Sequence, residues 1–275
     1  MDRPEFFEPA EPELRSAEYA QAVRLGDRVE ISGQGGWTGS HAYPPTVPAE
    51  YARAFDNVES VLRGAGASWD DVIAVQSFHV GPHEDVGPMM GAEFRRRMPS
   101  HTPIWTGVGV PMLGPDMHIE VRVTAVVGAG SSSPGTRSRS DVTPEFFVTP
   151  GYGEHQRDRL HCAQAVKVGN RIETSGQGGW SDDGEFPESR HDEVVRAFDN
   201  VERTLAAAGA SWADVVSVSS FHLQLDDEEF ASMSGQLRLR IPDHAPIWTC
   251  VGAARLGDPR MRVEIAVTAV VGEPG

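Results

Sequence analysis

Apolar side chains at Tyr51, Phe55, Val58 and Leu62 fall at i, i+4, i+7 and i+11, one face of a helix that ends at Gly64 or Gly66. Val195, Phe198, Val201 and Leu205 draw the same face again further along the chain. Upstream of the first helix, AQAVRLGDRVEISGQ reads as two strands joined by a Gly-Asp turn; the later copy uses Gly-Asn. DVIAVQSFHV has the composition of a strand. A second helix is expected over about 84–98, stopping before Pro99. PIWTGVGV and MHIEVRVTAVV alternate and are rich in β-branched residues, so they read as two further strands. The order ββαβαββ, with two helices covering one sheet face, is α+β. The other sheet face also needs cover, and another copy of the same sheet is the economical solution.

The chain is a duplication. SGQGGW stands at 32–37 and 175–180, RAFDNVE at 53–59 and 196–202, GASW at 66–69 and 209–212. SFH recurs at 77–79 and 220–222, and PIWT at 103–106 and 246–249, all at an offset of 143. One inserted residue then shifts the offset to 144, pairing Met117 with Met261 and Glu120 with Glu264. Between the copies lies GAGSSSPGTRSRSD, too small and polar to bury apolar surface, which reads as a flexible linker. The expected organisation is a domain over 1–128, a linker over 129–141 and a second domain over 142–275. So long a period means duplicated domains rather than a solenoid.

Composition narrows the function classes. Hydrophobic residues make up 39% and charged residues 23% of 275, as in a soluble globular protein. No apolar run is long enough to span a membrane, and the acidic, Pro-rich start is not a signal peptide, so a cytoplasmic location is expected. A net charge of −16 opposes nucleic-acid binding, which needs clustered cations. The one basic run, Arg95-Arg96-Arg97, reads as the solvated end of a helix. The single lysine, Lys167, has Arg24 as its repeat partner, which argues against lysine Schiff-base chemistry. Cys162 and Cys250 form no metal-ligand motif, and the common phosphate, dinucleotide, zincin and hydrolase signatures are absent. No metal and no cofactor are therefore expected.

These elements resemble the Rid family (reactive intermediate deaminases, YjgF-like). The carrying residues are YAQAVRLGDRVEISGQ, the DNVxxVLxxAGAS helix, DVxxVxxF, a proline-led strand and a final IEV, and they span most of each repeat. The resemblance implies two tandem chorismate-mutase-like domains, trimers of domains with a cleft at each domain interface, and cofactor-free hydrolysis of 2-imino or 2-enamino acids. It carries over as the cleft glutamate Glu120 and Glu264, the serine Ser32 and Ser175, and the tyrosine Tyr19, whose second-repeat counterpart is Cys162. The deaminase arginine, two positions after the strand proline, is replaced by Trp105 and Trp248. Without that guanidinium a 2-imino acid loses its carboxylate clamp.

The residues suggest chemistry of their own. Glu120 and Glu264 sit among apolar neighbours, where a raised pKa suits a general acid or base; an ion pair with Arg122 or Arg262 is the alternative. Trp105, Trp248, Trp37 and Trp180 either line the cleft as a flat apolar pocket or are ordinary buried aromatics. Thr106 and Thr249 follow two of these tryptophans and join the candidate set. His79 and His222 are candidate proton carriers or hydrogen-bonded core histidines. Gln34 and Gln177 position a ligand or cap their loop. The leading expectation is an acid–base enzyme for an imine, enamine or related reactive small molecule, aromatic or bulky, in a homotrimer. The alternatives are a non-catalytic module binding a hydrophobic metabolite or a partner protein, and an isomerase or cyclase of specialised metabolism. The −16 charge opposes ribonuclease activity, a label sometimes given to this family.

Overall fold

The computed structural model describes residues 3–15, 18–39, 42–81, 86–128 and 143–272. The segment expected to be a linker, 129–141, lies outside them. Contacts divide the chain into two compact units: residues 1–103 with 112–144, and residues 104–111 with 145–275.

The first repeat contains β1 (Glu5–Phe7), β2 (Ala22–Leu25), β3 (Arg28–Ile31), β4 (Gln34–Gly35), α1 (Val47–Gly64), β5 (Val72–His79), α2 (Val86–Arg97), β6 (Ile104–Gly109) and β7 (Ile119–Val126). The second contains β8 (Glu145–Phe147), α3 (Tyr152–Leu160), β9 (Ala165–Val168), β10 (Arg171–Thr174), β11 (Gln177–Gly178), α4 (Arg190–Ala207), β12 (Val215–His222), α5 (Asp227–Arg240), β13 (Ile247–Gly252) and β14 (Val263–Val270). The sheet orders are β1-β2-β3-β7-β5-β6 and β13-β12-β14-β10-β9-β8; β4 pairs with β7 and β11 with β14. β12 meets β13 in parallel, whereas β7 runs antiparallel to β3, β4 and β5, and β14 to β10, β11 and β12. The expected α+β layering is present in both repeats. The short strands β1, β4, β8 and β11 and the helix α3 add to it.

Alternation along β14 shows why one face is apolar. Val263, Ile265 and Val267 join Phe198, Val201 and Leu205 of α4 and Met233 of α5 in one core. In α4 the core position at the start of the stripe is Val194, fully buried, whereas the expected Val195 is half-buried. The repeat explains the difference, because Val194 and not Val195 is the register mate of Tyr51. Gly26 and Gly169 adopt φ of 63° and 62° at the two strand turns, where a side chain would be strained. Arg97 is not a solvated helix end: it reaches from α2 to Asp56 and Glu59 of α1 and lies over the Trp69 ring.

Candidate functional site

On the sheet face away from the helices, the first repeat forms a cleft of about 550 Å³. Phe6, Val23, Ile31 and Phe78 supply apolar wall; Ser32, Glu30, Glu120 and Arg122 supply the polar groups. Strand pairing brings them together: Phe78 is opposite Glu120 between β5 and β7, and Gly35 is opposite Glu120 between β4 and β7.

Glu120 is half-buried, and desolvation raises its carboxyl above the usual range. Its side chain lies across the backbone of Gly33, where an added Cβ would stand 1.8 Å from Oε1. The glycine of SGQ is thus the seat of the glutamate. Arg122, on the same strand face, does not pair with Glu120. It donates to Glu30 Oε2 at 3.0 Å, while Arg28 donates to Glu30 Oε1 at 2.8 Å. Among the described residues Glu120 has no ion-pair partner.

The second repeat places Glu264 on Gly176 in the same way, with an added Cβ 1.7 Å from Oε1. Here the carboxyl is buried, Oε2 has no hydrogen-bond partner, and burial pushes its pKa up to about 8. The Gly176 amide donates to Thr106 Oγ1 at 2.9 Å, within the second unit. Arg262 is committed elsewhere, to the Glu193 carboxylate and the loop carbonyls before α4. Ala266 stands in the place of Arg122.

The repeated motifs around each glutamate hold the loop. Ser32 Oγ donates to the Ala20 carbonyl at 3.0 Å. Gln34 is buried and donates to Gln21 and to the Ser32 carbonyl. Gln177 donates to Ser175 Oγ and accepts from the Tyr152 hydroxyl at 2.6 Å. The Asn of each RAFDNVE motif donates to two loop carbonyls: Asn57 to Gly35 and Trp37, Asn200 to Gly178 and Trp180. No lone motif in the sequence announces this bracing; the repeat pairing of Asn57 with Asn200 is the signal that could have revealed it.

Other expected site residues stand elsewhere. Alternation turns His79 to the helix side, where Nδ1 meets the Tyr51 hydroxyl at 2.7 Å and Nε2 meets Ser77 Oγ at 2.8 Å. His222 is likewise buried, between Ser220 and the Glu229 carboxylate, each at 2.9 Å. Trp248 stacks on Phe230 of α5 and donates Nε1 to Ser220 Oγ. Trp180 meets Tyr152 and Phe186 edge-on. Trp37 is half-buried against Gly35, and Trp105 folds over Gly107. None of these four tryptophans is among the described residues lining the cleft. Tyr19 is exposed, and Thr249 is exposed on β13. Cys162, in the tyrosine's place, is buried, and its thiol is pushed up to about 12. Among the described residues no three metal-binding side chains cluster, and no helix is long and apolar enough to cross a membrane.

Sequence comparison matches this architecture. The chain is 36% identical over 104 residues to the RutC family protein YjgH of Escherichia coli, covering 38% of this chain and 79% of that protein. It is 32% identical over 102 residues to the mitochondrial protein mmf2 of Schizosaccharomyces pombe, covering 36% and 79%. The crystal structure of RidA from a Psychrobacter species aligns with 29% identity and a TM-score of 0.37, covering 40% of this chain and 87% of that one. The model of the family described as Endoribonuclease L-PSP matches twice, at residues 11–127 and 159–271. With one match on each repeat, the chain belongs to the endoribonuclease L-PSP family, the Rid/YjgF group, as a tandem member.

Proposed function

We propose that the first-repeat cleft is an acid–base site acting on an imine, enamine or related reactive small molecule. The observation that carries this is Glu120: a half-buried carboxyl with no ion-pair partner among the described residues, raised by desolvation, in an open cleft. A carboxyl raised in this way suits general acid–base chemistry. In the reading offered here, Glu120 takes a proton from water as its oxygen bonds to the C=N carbon and the π electrons move to nitrogen. The same proton then goes to that nitrogen, and the hydroxyl proton of the adduct follows it by way of Glu120 as the C–N bond breaks and the C=O bond forms, so that a neutral amine leaves. Phe6 and Phe78 favour an aromatic or bulky substrate. With Trp105 and Trp248 in the place of the deaminase arginine, a simple 2-imino acid is not the expected one.

The non-catalytic alternative would be favoured by a glutamate tied up in a salt bridge. The pairing of Arg122 with Glu30 instead favours chemistry. The test is stopped-flow hydrolysis of N-benzylidenemethylamine. Wild type is expected to accelerate it, and Glu120→Gln to lose about 10²–10⁴-fold of that acceleration. No acceleration by wild type, or an unaffected Glu120→Gln variant, overturns the reading.

A further inference from the structure

In each repeat a buried carboxylate at the start of the long helix grips the strand that carries the site glutamate, but the two grips use different cations. Glu50, in the first turn of α1, is buried; its Oε1 accepts from the His118 amide and its Oε2 meets His118 Nδ1, each at 2.7 Å. Glu193, its counterpart in α4, is also buried; its Oε1 accepts from the Arg262 amide at 2.6 Å and its Oε2 from Arg262 Nε. His118 and Arg262 each stand two residues before the site glutamate, Glu120 or Glu264. Their carbonyls accept from the Val80 and Leu223 amides at 2.9 and 3.0 Å, so both backbone groups of this residue are bonded. The gripping glutamates also pack on the last glycine of SGQGG: an added Cβ at Gly36 or Gly179 would stand 2.5 Å from Cγ of Glu50 or Glu193. One carboxylate thus joins helix, loop and strand in each repeat.

We propose that the Glu50–His118 pair is a proton-operated fastening of the strand bearing Glu120, and that Arg262 makes the second-repeat copy permanent. A guanidinium stays charged at every pH the fold survives, whereas imidazole gives up its proton near neutrality. The His118 side chain is 43% exposed, so solvent reaches it directly. With the proton, the imidazolium neutralises the Glu50 carboxylate. Without it, Nδ1 donates in only one tautomer, and the buried carboxylate keeps no countercharge among the described residues. The titratable groups facing the pair are Tyr43 of the loop before α1, Tyr51 of α1, Asp116 of the loop before β7 and Glu120 itself. These four acids supply no positive charge, and His79 of β5 lies beyond the Tyr51 hydroxyl, which meets its Nδ1. Rising pH therefore loosens the start of β7 in the first repeat and leaves the Arg262–Glu193 pair charged. The fastening stands independently of the acid–base reading, although it acts on the strand that carries Glu120.

Hydrogen exchange of the residue-118 amide reads the fastening without any turnover. It is measured on the full chain at single-residue resolution and divided by the intrinsic exchange rate at each pH. Variants are compared at the same pH, because Glu264 gives the fold a pH dependence of its own. His118→Arg copies Arg262: at pH 8.5 its protection factor should exceed wild type at least about tenfold, and at pH 5.5 the two should agree within about threefold. His118→Gln keeps a donor without a charge: it should match wild type at pH 8.5 and fall at least about tenfold short of it at pH 5.5. Circular dichroism confirms that each variant is folded, and either variant alone decides the matter if the other is not. Equal protection of wild type and His118→Arg at pH 8.5, or of wild type and His118→Gln at pH 5.5, overturns the proposal. The acid–base reading fails on a different measurement, unchanged imine hydrolysis in Glu120→Gln.

Discussion

Glu264 lies so close over Gly176 that a methyl group on that glycine would sit 1.7 Å from Oε1. The carboxyl is buried, Oε2 has no partner, and desolvation lifts its pKa from 4.5 to about 8. Between those two values the folded chain holds a proton that the unfolded chain has lost. Stability is therefore full below about 4.5 and falls with rising pH across the window, levelling above 8, at about 1.4 kcal/mol per pH unit. Glu264→Gln carries no charge at any pH. Calorimetric unfolding from pH 5 to 9 should show this component of the slope vanish in the variant, and its Tm should exceed wild type at pH 9. An unchanged slope would mean that Glu264 is ionised in the fold.

The two seat glycines should respond differently to the same substitution. In Gly33→Ala the new methyl group meets the far end of Glu120, which is half-buried and free to swing into the cleft. That variant should fold normally and lose at least about tenfold in imine hydrolysis, since displacement of a general base defeats its geometry. In Gly176→Ala the displaced carboxyl is enclosed, and overpacking there should cost about 1–3 kcal/mol in urea unfolding. Equal stability losses in both variants would show that the Glu120 cleft is as closed as the other.

The buried histidines offer a contrast of role. Tyr51→Phe removes the hydroxyl that meets His79 Nδ1 and should cost about 1 kcal/mol, the net worth of a typical hydrogen bond. Glu229→Ala should do the same to His222, with a loss of similar size. Neither should alter KM for the imine if both histidines serve the helix–sheet core. A KM change in Tyr51→Phe without loss of stability would instead place His79 in substrate contact.

Periodicity revealed the layers because burial on one face is what a strand or helix records in sequence. Tyr51, Phe55, Val58 and Leu62 are all buried, and the duplication doubled the signal. The same pattern misjudged Val195 by one position, since adjacent valines give the helix stripe no phase. Glu120 and Glu264 were visible as candidates, but their difference was not. Burial of Glu264 depends on tertiary packing, and the similarly apolar IEV and VEI contexts say nothing of it. Arg122 was visible only as a partner for Glu120. Its pairing with Glu30 needed the β3–β7 neighbourhood, which no local spacing encodes. Sequence leaves Trp248 with two readings, cleft lining or ordinary aromatic burial, and its stacking on Phe230 of α5 with its bond to Ser220 favours the second.

The assembly proposed for this chain is a homotrimer, and strand β13 makes it testable. It is the edge of the second sheet, and Ile247 and Val251 on it are 74% and 44% exposed. An apolar edge strand left open is a site for uncontrolled pairing, so a native chain is expected to cover it. The Rid resemblance implies threefold rings of domains. One chain supplies two domains and cannot close a threefold ring, whereas three chains supply six domains and close two. Light scattering at micromolar concentration should therefore report three chains of 29.8 kDa each. Ile247→Lys puts a charge on the row and should shift the mass toward a single chain with an unchanged circular dichroism spectrum. A wild-type mass of one or two chains rules the trimer out. A trimer that survives Ile247→Lys would place the contact on a different face from β13.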